Sequence, residues 1–247
     1  MKYTPRFFYD TMPEWKRKKD SVVARYFHRP VSFVFSSVFT EIGLTPNQVS
    51  FISLIIAVLA CACFLVNNRC AYLAGAILVN LWSITDSADG NMARSIGGKP
   101  YGDFIDATSS YFLVGFMLPA LGFAVYQSGG YFFSSGNGII ILIGAFAGLS
   151  DTMMRLFFQK MKTNTFEIMI QDGKLAKEEK TREGKIAKIQ TVVESEFGIG
   201  GWNMIAIILC ALTNSFDIYV LFYACYHILM FVASTAYLIV KTGCLKK

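Results

Sequence analysis

The chain has 247 residues, of which 54% are hydrophobic and 16% are charged, and its formal net charge is +6. With a mean hydropathy of +0.45, this composition is too apolar for an ordinary soluble domain. Several segments contain the roughly 20 predominantly apolar residues that a membrane-spanning helix needs. The sequence therefore predicts an all-α integral membrane protein.

Residues 1–47 form a predicted N-terminal arm on the cytoplasmic side. Between residues 14 and 41, the basic run Lys16-Arg17-Lys18-Lys19 is followed by many aromatic and β-branched residues. This pattern is typical of an amphipathic helix that lies in the plane of the membrane interface. A soluble cap on the helical bundle is the alternative.

Six membrane spans are predicted within residues 48–241, which form a predicted six-helix transmembrane domain. They are placed at 48–66, 70–91, 103–126, 138–160, 199–213 and 217–240. The fifth span is short and begins in a glycine-rich stretch, so a five-span arrangement is the alternative. Five spans would move the C-terminal tail, residues 242–247, to the outside.

Lysine and arginine are distributed asymmetrically over the connections between these spans. With six spans, only Arg69 of the 23 basic residues lies on one side. Cytoplasmic segments carry the excess of Lys and Arg, so both termini and the loops 92–102 and 161–198 are predicted to be cytoplasmic. The mixed-sign cluster between Lys174 and Lys188 is typical of a solvated face, with closure over a substrate as the alternative.

The second span ends in a polar stretch that an ordinary membrane helix would not contain. Asp86 and Asp89 share one helix face because they are three residues apart, and Asp106, near the start of the third span, can be brought opposite them. Acidic residues at membrane depth are costly and indicate a function. Three carboxylates without His or Cys suit Mg²⁺ or Mn²⁺, and such a metal favours phosphoryl chemistry on a diphosphate.

Small residues lie on the same helical turn as these acids. Gly90 and Ala93 leave room for a bulky group, such as a nucleobase, to approach the helix backbone. Close packing against a neighbouring helix is the alternative, because small residues are common at membrane helix interfaces.

Together these residues resemble the signature of a known family. Asp86-x-x-Asp89-Gly90-x-x-Ala93-Arg94, followed by Gly102-x-x-x-Asp106, is similar to the motif of the class I CDP-alcohol phosphotransferases. The six spans, the cytoplasmic termini and the arm are similar as well. The resemblance implies transfer of a phospho-alcohol from a CDP-alcohol to an acceptor hydroxyl with release of CMP, in phospholipid or phospho-polyol biosynthesis.

The resemblance also implies a role for each matching residue. Asp86, Asp89 and Asp106 would hold one or two divalent ions, Mg²⁺ or Mn²⁺. Gly90 and Ala93 would border the cytidine, Arg94 would support the diphosphate, and Asn47 would complete the nucleotide-binding set. Arg155 would face the phosphate of a phosphorylated acceptor, whereas the residues alone fit a snorkelling side chain equally well.

The chain departs from the family pattern at Ser110. The signature has there a further acid that acts as the base, and a serine hydroxyl does not accept a proton at neutral pH. Three explanations are open: a bound metal lowers the pKa of the acceptor hydroxyl sufficiently, Asp103 or Asp151 substitutes as the base, or the chain has lost activity. Asp106, Asp151 and Ser110 are therefore the candidate catalytic residues.

Several hypotheses about function follow. Within the transferase hypothesis, the donor carries either diacylglycerol or a polar alcohol; residues 19–32 and Thr45-Pro46-Asn47 are similar to the arm of inositol-phosphodiester synthases that use CDP-inositol. A pseudoenzyme that binds CDP-alcohol or lipid without turnover is the second hypothesis, motivated by Ser110. A transporter is the third, although its polar residues would be spread over several spans.

The expected partners are the CDP-alcohol donor, the hydroxyl acceptor and membrane lipids, without nucleic acid, and the resemblance implies a homodimer.

Overall fold

The computed structural model describes residues 2–171, 195–198 and 200–243, and this part of the chain is helical without strands. The arm contains α1 (Pro5–Asp10), α2 (Glu14–Lys19), a π-helical turn (Ala24–His28) and α3 (Arg29–Glu41). The bundle contains α4 (Pro46–Phe64), α5 (Arg69–Ile96), α6 (Gly102–Ser128), α7 (Ile139–Gln171), α8 (Asn203–Thr213) and α9 (Phe216–Lys241). The predicted charged cluster from Lys174 to Lys188 lies outside the described residues.

Local sequence fixes where the bundle helices begin and end. Thr45 and Gln48 form a reciprocal capping box at the start of α4, with Pro46 at the first helical position. Asn68 accepts hydrogen bonds from the backbone N–H groups of Cys70 and Ala71 and so caps α5. Gly97, with φ +99°, ends α5.

Four of the described helices are long and apolar enough to cross a membrane: α4, α6, α7 and α9. The helix α5 is about 42 Å long at 1.5 Å per residue, but its second half carries the polar and acidic residues of the predicted site. The helix α8 has only 11 residues. All six helices coincide with the segments predicted as spans, although α7 continues to Gln171 beyond the predicted end at 160. Hydropathy falls there because the chain becomes polar, and polar residues do not themselves end a helix.

The bundle helices alternate in direction between two ends of the molecule. At one end, here called the far end, the connections 65–68, 129–138 and 214–215 meet: Gln127 donates to the carbonyl of Leu65 over 3.0 Å, and Asn214 donates to that of Gly129 over 3.4 Å. The opposite end, here called the site end, contains the arm, the connection 97–101 and residues 195–198 and 200–202. The main buried core, which includes Phe64, Tyr72 and Phe216, lies towards the far end.

The arm is not one continuous helix from 14 to 41. Asp20 has an extended backbone that ends α2. Helical structure resumes at residue 22 and continues to Glu41, with the π-helical turn just before Pro30, which has no N–H to donate. The arm folds against the bundle instead, where Phe8, Met12 and Phe33 form a second buried cluster with Val49 of α4 and Met92 of α5. Opposite this cluster, Tyr26 and other apolar residues of the arm are exposed.

Candidate metal centre

Three carboxylates lie together at the site end. Asp86 and Asp89 belong to α5 and Asp106 to the second turn of α6, and one oxygen from each lies within 4.8 Å of the others. The connection that reverses the chain between the two helices contains Gly97 and Tyr101, both at positive φ. A left-handed conformation at Tyr101 is uncommon for a residue with a side chain, and it directs α6 back along α5.

The environment of this Asp triad fits a hard divalent cation. All three groups offer oxygen ligands, which Mg²⁺ and Mn²⁺ prefer. Asp86 Oδ1 is buried and has no hydrogen-bond partner within the described residues, which is costly for a carboxylate unless a cation or a donor meets it. Asp89 is buried and Asp106 is exposed, so the triad reaches from the protein interior to its surface.

Polar side chains of α4 and α6 lie near the triad, and one of them contacts it. Ser50 donates to Asp89 Oδ2 over 2.5 Å. One turn further along α4, the Ser53 hydroxyl lies 2.8 Å from that of Ser109, which also accepts from Trp82 Nε1 at 2.8 Å. These residues were missed in the sequence, where the available signal was the presence of Ser50 and Ser53 in an otherwise apolar span.

A cavity of about 320 Å³ opens in front of the triad. Its walls come from α5, from Asp106, from Ser195 and Gly200, and from the arm through Lys16, Asp20, Ser21, Ala24 and Arg29. Lys16 Nζ lies 3.7 Å from Asp20 Oδ1. Burial and, to a smaller extent, the nearby Arg29 guanidinium lower the pKa of Lys16. The sequence did not predict that the arm forms a wall of this cavity.

The arm is connected to the cavity by a chain of hydrogen bonds. Arg29 donates to both oxygens of Asp20 over 2.8 and 2.9 Å and to Asn91 Oδ1 over 3.1 Å. Arg94 donates to the same Asn91 oxygen over 3.0 Å. A methyl group added at Gly90 would lie 3.1 and 3.2 Å from the two terminal nitrogens of Arg94. The absence of a side chain at Gly90 therefore accommodates the Arg94 guanidinium in this structure.

Residues 195–198 and 200–202 close another side of the cavity against the arm. Ser21 donates to the carbonyl of Gly200 over 2.9 Å, and the N–H of Val22 donates to Glu196 over 3.1 Å. The sequence does not indicate that these segments meet, because nearly the whole bundle separates them along the chain.

Five predicted site residues are not among those that line the cavity: Asn47, Ala93, Ser110, Asp151 and Arg155. Asn47 donates to the carbonyl of Pro100 over 3.0 Å, so it holds the connection before α6, and its Oδ1 is buried without a partner in the described structure. Ser110 is half-buried, four residues after Asp106 on α6.

Asp151 and Arg155 form a separate cluster between α7 and α9. Arg155 donates to the two oxygens of Asp151 over 3.2 and 3.4 Å, and Nδ1 of His227 lies 3.8 Å from Asp151 Oδ2. Asp151 is only 1% exposed. Both carboxylate oxygens of Asp151 are therefore already engaged by a cation in this structure.

Comparison with known proteins agrees with this architecture. No individual curated protein matches the chain. The family model described as CDP-alcohol phosphatidyltransferase matches residues 43–232, which contain α4 to α8, most of α9 and the entire Asp triad. Because this match covers most of the 247 residues, the chain belongs to the CDP-alcohol phosphatidyltransferase family.

Proposed function

We propose that the protein transfers a phospho-alcohol group from a CDP-alcohol to the hydroxyl of an acceptor and releases CMP. The observation that carries this proposal is the Asp triad, which lines one cavity together with Lys16, Arg29 and Arg94 within a chain of this family. Such a cavity offers oxygen ligands for a divalent cation together with cationic side chains for phosphate oxygens.

The charges around the cavity support a diphosphate as its ligand. Three cationic residues, Lys16, Arg29 and Arg94, and four acidic ones, Asp20 and the triad, line it. Their sum is one negative charge without a metal. One bound divalent ion makes the summed charge of the cavity positive, and a second ion makes it more positive. With metal bound, the cavity is therefore complementary to the negative charge of a diphosphate.

Asp86, Asp89 and Asp106 would hold one or two divalent ions, Mg²⁺ or Mn²⁺. When bound, such an ion supplies a Lewis acid that neutralises the charge of the diphosphate during transfer. Gly90 and Arg94 line the cavity, which supports the roles predicted for them beside the cytidine and the diphosphate; Ala93 keeps its predicted place beside the cytidine. The unpartnered oxygen of Asn47 can accept a hydrogen bond from a nucleotide amino group.

We infer that Asp106 accepts the proton of the attacking hydroxyl. Asp106 is the exposed member of the triad, so an acceptor can approach it from outside, whereas both oxygens of Asp151 already accept from Arg155. In this step the acceptor oxygen forms a bond to the phosphorus that carries the alcohol. The bond from that phosphorus to the CMP oxygen breaks, the proton moves to Asp106, and CMP leaves.

The central test is release of CMP by purified protein in lipid vesicles, with Mn²⁺ or Mg²⁺ and a panel of CDP-alcohols and acceptors. We expect metal-dependent release with at least one pair, and loss of both release and metal-dependent CDP binding in Asp89→Asn. Binding of CDP-alcohol without CMP release from any pair would favour the second candidate, a pseudoenzyme, which the serine at position 110 motivates. Unchanged CDP affinity in Asp89→Asn would exclude the proposed metal centre.

The origin of the proton acceptor is tested separately. If Asp106 is the base, Asp106→Asn loses turnover by about 10²-fold or more, and Asp151→Asn keeps most of it. Ser110→Asp, which restores the acid of the family signature, is expected to raise turnover. Loss of turnover in Asp151→Asn with CDP binding intact would instead assign the base to Asp151 and contradict the role of Asp106.

We further propose that α4 to α9 all cross the membrane, with both termini and the cavity on the cytoplasmic side. The alternating direction of the six helices supports this arrangement, and so does the predicted distribution of basic residues. The exposed apolar residues of the arm support its placement in the membrane interface. The homodimer implied by the resemblance stays a prediction.

A further inference from the structure

Asn91 lies at the point where the arm meets the candidate site. It is 2% exposed, and it follows Gly90 on α5. Its Oδ1 accepts hydrogen bonds from Arg29 at 3.1 Å and from Arg94 at 3.0 Å. Its Nδ2 donates to the hydroxyl of Ser32 on α3 over 3.0 Å. An amide has one acceptor oxygen with two lone pairs, so Asn91 Oδ1 is fully used by the two guanidinium groups.

The two arginines that share this oxygen differ in their burial and in whether a carboxylate pairs with their charge. Arg29 is buried, and two parallel hydrogen bonds to Asp20 fix its guanidinium and offset its charge. Arg94 is exposed at the cavity, and within the described residues it has no carboxylate partner within 4.0 Å and its hydrogen bond is the one to Asn91. Only Arg94 therefore retains an unpaired charge and several unused N–H groups for a ligand.

Two guanidinium groups on one neutral oxygen repel each other, while Asp20, Asp89 and Asp106 attract Arg94 from further away. An Arg side chain without a ligand would ordinarily turn towards water, because the exposed position allows it and its rotamer entropy favours it. The Asn91 oxygen prevents this by holding the guanidinium over Gly90, on the wall that also contains Asp86 and Asp89.

We propose that Asn91 is a positioning residue, which orients the Arg94 guanidinium towards the donor diphosphate and, through Arg29 and Asp20, couples this orientation to the folded arm. The proposal rests on the proposed function, because it takes the anion at Arg94 to be the diphosphate of a CDP-alcohol. It adds a role for Asn91 and Arg29, which the family signature does not include.

The test measures binding of CDP and CMP, each with Mn²⁺, to the full-length protein and to two variants. Asn91→Leu has a similar size but no acceptor, and we expect its affinity for CDP to fall about 10-fold or more. Its affinity for CMP should fall less, because CMP lacks the second phosphate, and its affinity for Mn²⁺ alone should not change. Asn91→Gln keeps a neutral acceptor oxygen for the arginines and should restore part of the lost CDP affinity.

Asn80→Leu is the matched control. Asn80 is another Asn of α5, but it donates to the carbonyls of Ala76 and Met204 over 2.9 and 3.0 Å and does not line the cavity. We expect this variant to lower the melting temperature and to bind CDP within about 2-fold of the wild type. If the role of Asn91 were purely structural, Asn91→Leu would likewise have a lower melting temperature and nearly unchanged CDP affinity.

The outcomes separate this inference from the function on which it rests. If the wild type does not bind CDP in the presence of Mn²⁺, both are overturned. If the wild type binds CDP and folded Asn91→Leu binds it equally well, the inference alone is overturned.

If Asn91→Leu does not fold, Arg29→Lys serves instead, because a lysine cannot contact Asp20 and Asn91 at once. CDP affinity should then fall about 3-fold or more, and unchanged affinity would contradict the coupling.

Discussion

Gly90 illustrates how the lack of a single side chain shapes the candidate site. Its place on α5 lies under the guanidinium of Arg94, and an added methyl group would come within 3.1 Å of it. Because the guanidinium is the end of a flexible side chain, it would move away from the added methyl group, and the backbone of α5 would stay in place. Since alanine favours a helix over glycine by about 1 kcal/mol, the helix itself should tolerate the change.

Gly90→Ala is therefore expected to weaken CDP binding about 10-fold while the melting temperature stays constant or rises. Binding of CDP with Mn²⁺ and thermal unfolding in detergent measure the two effects. Gly98→Ala is the control, because a methyl group there would meet nothing closer than 4.0 Å. Equal CDP affinities in the two variants would show that the space above Gly90 is not needed for the nucleotide.

Ser50 affects the triad through one hydrogen bond, to Asp89 Oδ2. Such partners of metal-binding groups set their orientation, and removing one typically costs 10- to 100-fold in metal affinity. We expect Ser50→Ala to weaken Mn²⁺ binding by at least about 10-fold, as measured by equilibrium titration. In the control, Ser53→Ala, the lost partner is Ser109 and not an acid, so its Mn²⁺ affinity should stay near that of the wild type.

The sequence predicts the ligands of this site better than their surroundings. Asp86, Asp89 and Asp106 could be found because carboxylates are rare in apolar spans and because their spacing places them on helix ends that meet. Ser50, Arg29 and Asn91 could not, because serine is common in membrane helices and the arm's position depends on tertiary packing. Asp151 was interpreted as a possible base from its place along α7, but its pairing with Arg155 depends on side-chain orientation, which hydropathy does not report.

At the scale of elements, α6 and α7 approach closely through glycines. A methyl group added at Gly148 would lie 2.6 Å from the carbonyl oxygen of Gly115, and one at Gly122 would lie 2.7 Å from that of Ile140. Gly144 lies one turn before Gly148 and faces the backbone of Leu118 in the same way. This spacing of small residues is the one that allows membrane helices to pack closely.

Gly148→Ala is expected to force α6 and α7 apart and to lower the free energy of unfolding by about 1–3 kcal/mol, the usual cost of overpacking. The melting temperature in detergent should fall accordingly. Because α6 carries Asp106, Mn²⁺ affinity should fall too. Gly138→Ala provides the comparison, since a methyl group there meets nothing within 4 Å. A Gly148→Ala variant as stable as Gly138→Ala would rule out close packing at this point.

The helices themselves were largely predictable, and the arm was not. Long apolar runs located the starts of α4 to α9 within a few residues, but the end of α7 at Gln171 lies well beyond the predicted end at 160. The basic and aromatic pattern of residues 14–41 predicted one amphipathic helix, but the chain breaks it at Asp20, and residues 22–41 continue through a π-helical turn. Local pattern could not foresee this, because Asp20 gains its partner, Arg29, only when the arm folds back on itself.

At the scale of the whole molecule, the length of α5 relates the site to the membrane. The helix α5 begins at Arg69, which lies at the far end. Asp86 follows 17 residues later, so it lies about 26 Å along the helix axis from Arg69. The hydrocarbon core of a bilayer is about 30 Å thick. With the far end at one membrane surface, the triad lies just inside the other surface, which is the cytoplasmic one in the proposed arrangement.

This arrangement predicts which positions are accessible from each side. With its native cysteines replaced, the protein should react with a membrane-impermeant thiol reagent at Ser134→Cys from the external side and at Ser95→Cys from the cytoplasmic side. Labelling of Ser215→Cys decides whether α8 spans the membrane. Position 215 follows the short helix α8, and the neighbouring Asn214 contacts Gly129 at the far end. If α8 crosses, position 215 is labelled from the same side as position 134. Labelling from the side of position 95 would mean that α8 does not span the membrane.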